Sequence, residues 1–417
     1  MINPEIAKPD QKNNIESDQI KLTGEMHEYL TRHGWSLTAC EETACDRKYY
    51  AKPKYDTGNC QRYECNGYRF LERKERKSQI SLISIAKKAE QLFSVNKTTK
   101  VNPLPIVNNH GSTLFTGTCG QYYDNVFFLD QKPQTESVFL AQPVVRLQGE
   151  DLVGKLDGIS TSFINMATEK INANQNEHLE LLDLWMSYLS SLGIFMGDIT
   201  LTLKQDRPKW GDQISPKASS LKINYLGLEL GIANFFHDIA VPNSGNCYTL
   251  SDISFGLERV AWAVNKTPSY FDSIGPIRLV SKGKDAHKMI DRYRTVTLLA
   301  SSGVIPSYKD RGSKVRKLIK DISLNINDDL SEQLIKHYYD SWSQFIDLPL
   351  SFPHTSQIIM KEFSRNQNMS VNEKLKVSHK NVSPEENPDQ YLSLLLDRGI
   401  ISVQQIYALF EVGVDND

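Results

Sequence analysis

The sequence predicts an α+β protein, because strands and helices are concentrated in different parts of the chain. Residues 100–280 contain strand-like apolar runs and one long helical pattern, at about residues 177–192. From about residue 285 onwards the apolar spacing is helical. Segregation of this kind is typical of α+β proteins, so we expect a sheet domain followed by a helical domain, with a cysteine-rich module before both.

Length and composition indicate a globular protein, since 417 residues suffice for two or three domains of roughly 150 residues. The formal net charge of −2 gives no global cationic surface for RNA, although a local basic stripe is compatible with it. No apolar run approaches the roughly 20 residues of a membrane span, and the first residues lack the basic and apolar regions of a secretory signal. We therefore expect a cytoplasmic protein that does not contact membranes.

Composition divides the chain into four expected segments. Residues 1–20 are polar and expected to be disordered, residues 21–78 form the cysteine-rich module, residues 79–284 the sheet core and residues 285–417 the helical domain. The core is expected to begin with a helix at residues 79–97. The helical domain is expected to contain five helices, with a break before the fourth at residues 383–388; the helices are at 285–302, 309–322, 330–346, 389–396 and 403–410.

The cysteine-rich module holds two pairs of cysteines, Cys40 with Cys45 and Cys60 with Cys65. In a cytosolic protein, paired cysteines favour a metal site over a disulfide, and four thiolates suit tetrahedral Zn²⁺. The module is poor in aliphatic residues, so it could hardly build a core of its own. We expect a structural zinc site. Unrelated free cysteines and disulfides are the alternatives, because the spacing inside each pair is longer than the common two residues.

The most informative stretch, Ser-Asp-Ile-Ser-Phe-Gly-Leu-Glu-Arg, occupies residues 251–259. Gly256 leads into an apolar-periodic segment that reads as a helix, so Arg259 projects from its first turn. A fixed guanidinium beside a closely approachable backbone suits the terminal phosphates of ATP, and Asp252 would suit an ammonium group. The alternative is an ordinary amphipathic helix start, with Asp252 as a cap or turn residue.

Three further segments occur in a fixed order around this stretch. Residues 114–123 read Leu-Phe-Thr-Gly-Thr-Cys-Gly-Gln-Tyr-Tyr. Residues 142–166 form a strand-like run that ends at Arg146, a polar loop and a second strand-like run that contains Phe163. The last segment has three parts, which read Ile-Asp-Arg-Tyr-Arg, Gly-Val-Ile-Pro-Ser and Arg-Gly at residues 290–294, 303–307 and 311–312.

These four colinear segments resemble the catalytic core of alanyl-tRNA synthetases, a class II family. Residues 142–166 are similar to motif 2 of that class and residues 251–259 to motif 3. The resemblance covers about half of the chain. It implies an antiparallel sheet with flanking helices, and an ATP- and Mg²⁺-dependent ligase that joins an amino-acid carboxylate to the α-phosphate of ATP. Class II cores commonly dimerise, so the resemblance also implies a homodimer.

The resemblance assigns roles to individual residues. Arg146 would bind the α-phosphate and the attacking carboxylate, and Arg259 the γ-phosphate. Phe163 would stack on adenine, and Asp252 would pair with the amino group of the amino acid. Glu229, in an otherwise apolar run, is either ion-paired or a partner of Mg²⁺. The plain alternatives are a solvated surface arginine for Arg146 and a core residue for Phe163.

Four positions depart from the family pattern. Gly231 stands where a tryptophan is usual, Asn234 where a valine lines the side-chain pocket, Ser254 where motif 3 has a glycine and Tyr308 where an asparagine helps to read the acceptor stem. These changes put alanine and alanine tRNA in doubt and leave the ATP residues in place. We therefore expect Gly231, Asn234 and Ser254 to shape a pocket for an amino acid that is larger or more polar than alanine.

Three functions are compatible with the sequence. The first is an enzyme that forms an aminoacyl adenylate and passes the acyl group to an acceptor: a carrier-protein thiol, a small amine in a biosynthetic pathway or a tRNA. The second is a compact tRNA synthetase with altered specificity. The third is a catalytically dead synthetase paralogue that acts as a binding or regulatory module, although a dead site has no use for both Arg146 and Arg259.

Overall fold

The computed structural model describes residues 24–107 without 25 and 46, then 113–276, 284–322 and 328–367, together with 393, 395 and 396. The expected tail, break and last helix lie outside these residues, as does most of the helix expected at 389–396. The chain forms two compact units. Their ranges are 1–145 with 163–274, which we call the sheet unit, and 146–162 with 275–417, which we call the helical unit.

The sheet unit is built on nine strands in the order β1-β2-β6-β7-β8-β9-β5-β4-β3. Five antiparallel pairings run from β1 to β9, β9 pairs antiparallel with β5, and β3 joins β4 in parallel. The antiparallel α+β sheet is thus confirmed, with one parallel pair at its edge. The strands are β1 (Ser36–Ala39), β2 (Lys48–Ala51), β3 (Thr99–Lys100), β4 (Ser137–Val145), β5 (Ser162–Ile171), β6 (Ile199–Asp206), β7 (Ala218–Tyr225), β8 (Leu228–Ala240) and β9 (Cys247–Gly256).

Among the described residues, the helices of the sheet unit include α1 (Tyr63–Asn66), α2 (Leu82–Val95), α3 (Asp124–Leu129), α4 (Gln175–Ser191) and α5 (Leu257–Asn265). The starts of two of them follow from capping side chains. The Ser81 hydroxyl accepts a hydrogen bond from the Ser84 backbone N–H at the start of α2, and Asn174 with Glu177 forms a capping box at the start of α4. Helices α2 and α4 confirm the predictions for residues 79–97 and 177–192.

Helix α4 covers one face of the sheet, which we call the helix-covered face. Trp185 is fully buried there and packs against Phe255 of β9, with ring centroids 4.6 Å apart. Its indole N–H donates to the Thr168 hydroxyl at 2.9 Å, and His178 bonds the Ser251 hydroxyl at 2.7 Å. Side chains alternate along a strand. The residues that alternate with Ser251 and Phe255 on β9, and with Thr168 on β5, therefore point to the second face, where the candidate site lies.

The cysteine-rich segment belongs to the sheet unit, so the boundary expected at residue 78 does not separate compact units. Its hairpin β1–β2 extends the sheet, because Tyr50 pairs with Leu201 of β6. The Thr200 hydroxyl donates to the Cys60 carbonyl at 2.7 Å. The module is thus attached through backbone pairing rather than tethered as a separate domain.

The helical unit contains α6 (Lys284–Ser301), α7 (Asp310–Ile322), α8 (Asp328–Trp342) and α9 (Phe352–Gln367). The first three confirm the helices predicted from residues 285, 309 and 330, although α8 ends earlier than predicted. Helix α9 was not predicted; the Ser351 carbonyl accepts the Thr355 N–H at 2.9 Å in its first turn. Among the described residues, no helix combines the length and apolar character that crossing a membrane requires.

Candidate active site

A row of polar side chains crosses the second face of the sheet on four neighbouring strands. The register pairs Ser220 of β7 with Asn234 of β8, Asn234 with Asp252 of β9, and Asp252 with Glu169 of β5. The Ser220 hydroxyl donates to Asn234 Oδ1 at 2.7 Å, and Asn234 Nδ2 donates to Asp252 Oδ2 at 3.1 Å. The amide therefore fixes one oxygen of the Asp252 carboxylate. We call these four residues the polar row.

Arg259 lies in the first turn of α5, as predicted, and its Nη1 donates to the Glu229 carbonyl at 3.0 Å. The Glu229 carboxylate accepts a hydrogen bond from Lys222 Nζ at 2.8 Å. Burial alone would raise the pKa of the Glu229 carboxyl, but Lys222, Arg259 and Arg62 more than offset it, and the pKa lies below its usual value. Glu229 thus has an ion-pair partner in Lys222, while its role as a partner of Mg²⁺ stays a prediction.

Glu258 explains how the two motif-like segments are held together in this unit. It is fully buried, and both of its carboxylate oxygens accept the Ile164 N–H at 3.0 Å. This bond locks the start of β5 to the first turn of α5. Phe163, half-buried, and Asn165 lie on the same face of β5 as Ala167, which pairs with Ser254.

Residues 114–123, which resemble the family pattern, lie beside the polar row. The Gln121 side chain accepts the Gly117 N–H at 2.6 Å, and the Cys119 thiol contacts the Asn165 carbonyl at 3.1 Å. Gly120 stands close to the row: a Cβ atom there would lie 4.0 Å from Glu169 Oε1 and 3.1 Å from the Trp210 ring. A glycine at this position lets the turn approach the sheet.

Gly231 does not line the polar row. It pairs in register with Phe255 and with Ile223, so it belongs to the helix-covered face, and a Cβ atom there would lie 2.6 Å from the Phe255 ring. The expectation that Gly231 opens space beside Asn234 therefore does not hold. Its physical role is to let β8 pass close to a buried aromatic ring. Ser254 is buried and lies on the same face as the polar row, two residues after Asp252 on β9.

Arg146 begins the part of the helical unit that matches the motif 2 loop, residues 146–162. Its side chain is exposed, and its backbone N–H donates to the Thr161 carbonyl at 2.9 Å. The fully buried Asp291 of α6 accepts both the N–H and the hydroxyl of Thr161, at 2.6 and 2.7 Å. Arg294 donates to the Ser162 carbonyl at 3.1 Å. Residues 290–294, which resemble the family pattern, therefore anchor this loop through buried side chains.

Tyr308 is 76% exposed on the helical unit. The Arg316 guanidinium lies 3.9 Å from the centre of its ring, and Arg365 donates to its hydroxyl. These two arginines hold the pKa of the Tyr308 hydroxyl below its usual value. The position where an asparagine is usual in the family thus carries a tyrosine stacked with cations.

The four predicted metal ligands converge in the cysteine-rich module. The sulfur atoms of Cys40, Cys45, Cys60 and Cys65 all lie within 4.8 Å of one another, a group that could hold a metal ion. The separations are 3.9 Å between Cys45 and Cys60 and 3.7 Å between Cys60 and Cys65. A disulfide needs about 2.05 Å. Tetrahedral Zn²⁺ with bonds of about 2.3 Å places its sulfurs about 3.8 Å apart, so the observed separations fit that ion.

Sequence reasoning missed Glu169 and Lys222, which complete the polar face around Asp252 and Glu229. A signal for Glu169 existed: it follows Asn165 and Ala167 at alternate positions, in a strand with buried neighbours on both sides. An acidic residue in such a strand is expected to be buried and to need a partner. Lys222 had no comparable signal, because a lysine in a strand is usually solvated.

Comparison with known proteins relates the chain to one group of ligases. It is 23% identical over 252 residues to the alanine–tRNA ligase of Methanosphaera stadtmanae, a match that covers 58% of this chain and 27% of that protein. The alanine–tRNA ligase of Methanosarcina mazei is 22% identical over 270 residues, 60% of this chain and 28% of that protein. The chain therefore spans about a quarter of the length of these relatives. No protein-family model matches.

Among solved structures, the pyrrolysyl-tRNA synthetase of Desulfitobacterium hafniense gives a TM-score of 0.33 at 12% identity, over 46% of this chain and 72% of that chain. The apo histidyl-tRNA synthetase of S. aureus gives a TM-score of 0.31 at 11% identity. The sequence matches make the chain similar to part of the alanine–tRNA ligases, at 22–23% identity over 58–60% of its length.

Proposed function

We propose that this chain is an ATP-dependent ligase of the aminoacyl-tRNA-synthetase type, which activates an amino acid as its aminoacyl adenylate. The observation that carries the proposal is that β9 contributes Asp252 to the polar row and runs directly into α5, whose first turn carries Arg259. Asp252 would bind the ammonium group, and Arg259 the γ-phosphate. The similarity to alanine–tRNA ligases supports both roles.

The reaction needs no covalent enzyme intermediate. An oxygen of the amino-acid carboxylate forms a bond with the α-phosphorus while the bond to the bridging oxygen breaks, and pyrophosphate leaves with that electron pair. Charge develops on phosphate oxygens, so fixed guanidinium groups lower the barrier. Arg259 would supply one of them in the sheet unit and Phe163 would stack on adenine, while the role of Arg146 stays the one that the resemblance implies.

Mg²⁺ is implied by this chemistry and would supply further positive charge against the phosphates. Glu229 fits a magnesium ligand in one respect, because its lowered pKa keeps it ionised. One of its oxygens is already bonded to Lys222. We therefore assign Glu229 as the candidate residue for Mg²⁺, with Lys222 as the group that orients its carboxylate.

The four cysteines would hold a structural Zn²⁺ ion. Cys40 and Cys60 are buried, and the separations of 3.9 Å between Cys45 and Cys60 and 3.7 Å between Cys60 and Cys65 support a tetrahedral ion. The ion would fix the loop after β1, with Cys40 and Cys45, to Cys60 before α1 and Cys65 within it. It lies in a part of the sheet unit remote in sequence from the polar row, so its role is in folding rather than in chemistry.

Amino-acid-dependent exchange of labelled pyrophosphate into ATP tests the proposal directly. The wild-type chain should catalyse exchange with at least one amino acid. Arg259→Ala should lose about 3 kcal/mol or more of transition-state stabilisation, roughly a hundredfold in rate, while Arg32→Ala, at an exposed position of the sheet unit, should keep full activity. A folded Arg259→Ala variant within a few-fold of wild type would contradict the assignment.

The acyl acceptor is a carrier-protein thiol, a small amine or a tRNA. Supplying each class to the preformed adenylate separates these acceptors, because only the correct one accelerates release of AMP. Charging of tRNA would favour a compact synthetase with altered specificity. If no amino acid supports exchange, the binding or regulatory paralogue is favoured.

A further inference from the structure

Glu169 is the second acidic member of the polar row, and the proposed chemistry, which uses Asp252, gives it no role. Its side chain is fully buried, its carboxyl group is hydrogen-bonded to the Asp252 carboxyl group, and no basic group bonds it among the described residues. An ionisable group buried in this way needs a proton or a cation. The two lysines on the four strands of the polar row are engaged elsewhere: Lys170 with Glu177, and Lys222 with Glu229.

Glu169 shares its face with a second carboxyl group. It pairs in register with Asp252, so the two side chains are direct neighbours across β5 and β9. Burial, and then the nearby Asp252 carboxyl, raises the pKa of Glu169 well above its usual value. The two carboxyl groups therefore share a proton when no second cation is present, and a second ammonium group, beside the one at Asp252, would take the place of that proton.

The surroundings of Glu169 also suit a cation. The Trp210 ring lies against Gly120, the residue whose missing side chain leaves Glu169 Oε1 next to the turn. The Trp210 indole N–H donates to Asp124 Oδ1 at 2.9 Å, so its polar edge is turned to that carboxylate. Aromatic faces and carboxylates together are the groups that bind ammonium ions in proteins.

The geometry points to a diamino acid as the substrate, with the α-ammonium at Asp252 and a second ammonium, on a short side chain, at Glu169. Directly paired residues of antiparallel strands have Cβ atoms about 4.5–5.5 Å apart, which restricts the second amine to a short side chain. Diaminopropionate and diaminobutyrate belong to this class. The inference rests on the proposed amino-acid activation and names the substrate of that same site.

The test compares amino acids in the pyrophosphate-exchange assay. For the wild-type chain, diaminopropionate or diaminobutyrate should exceed alanine and serine in kcat/KM by at least about tenfold. Glu169→Gln keeps the shape and removes the charge, so it should abolish this preference for diamino acids over neutral amino acids. Glu180→Gln, an exposed glutamate on α4, should leave the whole profile unchanged.

Calorimetric titration of the wild-type chain with diaminopropionate and with alanine separates this inference from the proposed function. Tighter binding of diaminopropionate supports the site even if no amino acid supports exchange, an outcome that would contradict adenylate formation alone. Exchange with a preference for neutral amino acids, or equal binding of both ligands, would overturn the diamino-acid assignment and leave adenylate formation standing. The wild-type comparison holds whether or not Glu169→Gln folds.

Discussion

At the scale of single residues, the site depends on how each polar side chain is held. Asn234 illustrates this: its amide oxygen accepts from Ser220, and its N–H donates to Asp252. We had expected this amide to bind the substrate side chain. Since its oxygen and one N–H are bonded to protein groups, its first role is to orient Asp252.

Ser220→Ala should weaken amino-acid binding without affecting ATP. The hydroxyl orients the Asn234 amide, and its loss removes one bond, worth about 1 kcal/mol, from the chain that fixes Asp252. We expect the KM for the amino acid to rise roughly fivefold, with the KM for ATP unchanged. Ser219→Ala, whose hydroxyl bonds His237 on the helix-covered face, is the matched control. Equal effects on both KM values would contradict the positioning role.

Asp124 gives a prediction for pH. Burial raises the pKa of its carboxyl to about 6, above the value of 3.8 for an exposed aspartate. The folded state thus binds the extra proton between these values, so the stability that Asp124 contributes is present at low pH and lost as the pH rises through 6. Asp124→Asn should stabilise the protein at pH 7.5 by up to about 3 kcal/mol and change little at pH 4.

Urea unfolding of wild type and Asp124→Asn at both pH values measures this difference. The asparagine oxygen can still accept from the Trp210 indole, so that bond is retained. Asp212→Asn, at an exposed position of the neighbouring loop, is the control. A destabilised Asp124→Asn variant at pH 7.5 would show that the aspartate is held in its charged form.

At the scale of elements, α6 anchors the loop at residues 146–162 within the helical unit. Asp291 is the centre of this anchor, because it accepts two bonds from Thr161 and one from Arg292. Asp291→Ala leaves Arg292 and the Thr161 N–H without this acceptor in a buried setting. It should therefore destabilise the helical unit by about 3–5 kcal/mol.

Limited proteolysis and unfolding measurements test this anchor. Asp291→Ala should expose residues 146–162 to cleavage and raise the KM for ATP, since Arg146 starts that loop. Asp329→Ala, at an exposed position of α8, should do neither. A protected loop in the Asp291→Ala variant would show that other contacts hold it.

Many of the helices and strands could be predicted from the sequence, and the physical reasons differ from one element to another. The capped, periodic helices α2 and α4 were predictable because caps and apolar spacing are local. Residue pairing across strands is not local, so Glu169 beside Asp252 and Gly231 on the opposite face could not be read from the chain. The loop at 146–162 was predictable as a loop, and its anchor on Asp291 was not.

At the scale of the whole molecule, the cysteine cluster is the feature most open to test. Elemental analysis should find about one zinc per chain. Chelation should unfold residues 36–66, seen as faster amide hydrogen exchange there, and lower the melting temperature, while pyrophosphate exchange persists at first because the polar row lies on other strands. Ala44→Ser, beside Cys45, should retain the metal, whereas Cys60→Ser should lose it. Metal-free protein of unchanged stability would exclude this site.

The hairpin β1–β2 also has a consequence for solubility. It pairs with β6 through a single register position, Tyr50 with Leu201, so the metal cluster beside it would hold much of that attachment. Once the hairpin detaches, β6 becomes an edge strand with free backbone donors and acceptors, the kind of surface that recruits strands from other chains. Loss of the ion should therefore appear as concentration-dependent self-association, even while each molecule is still largely folded.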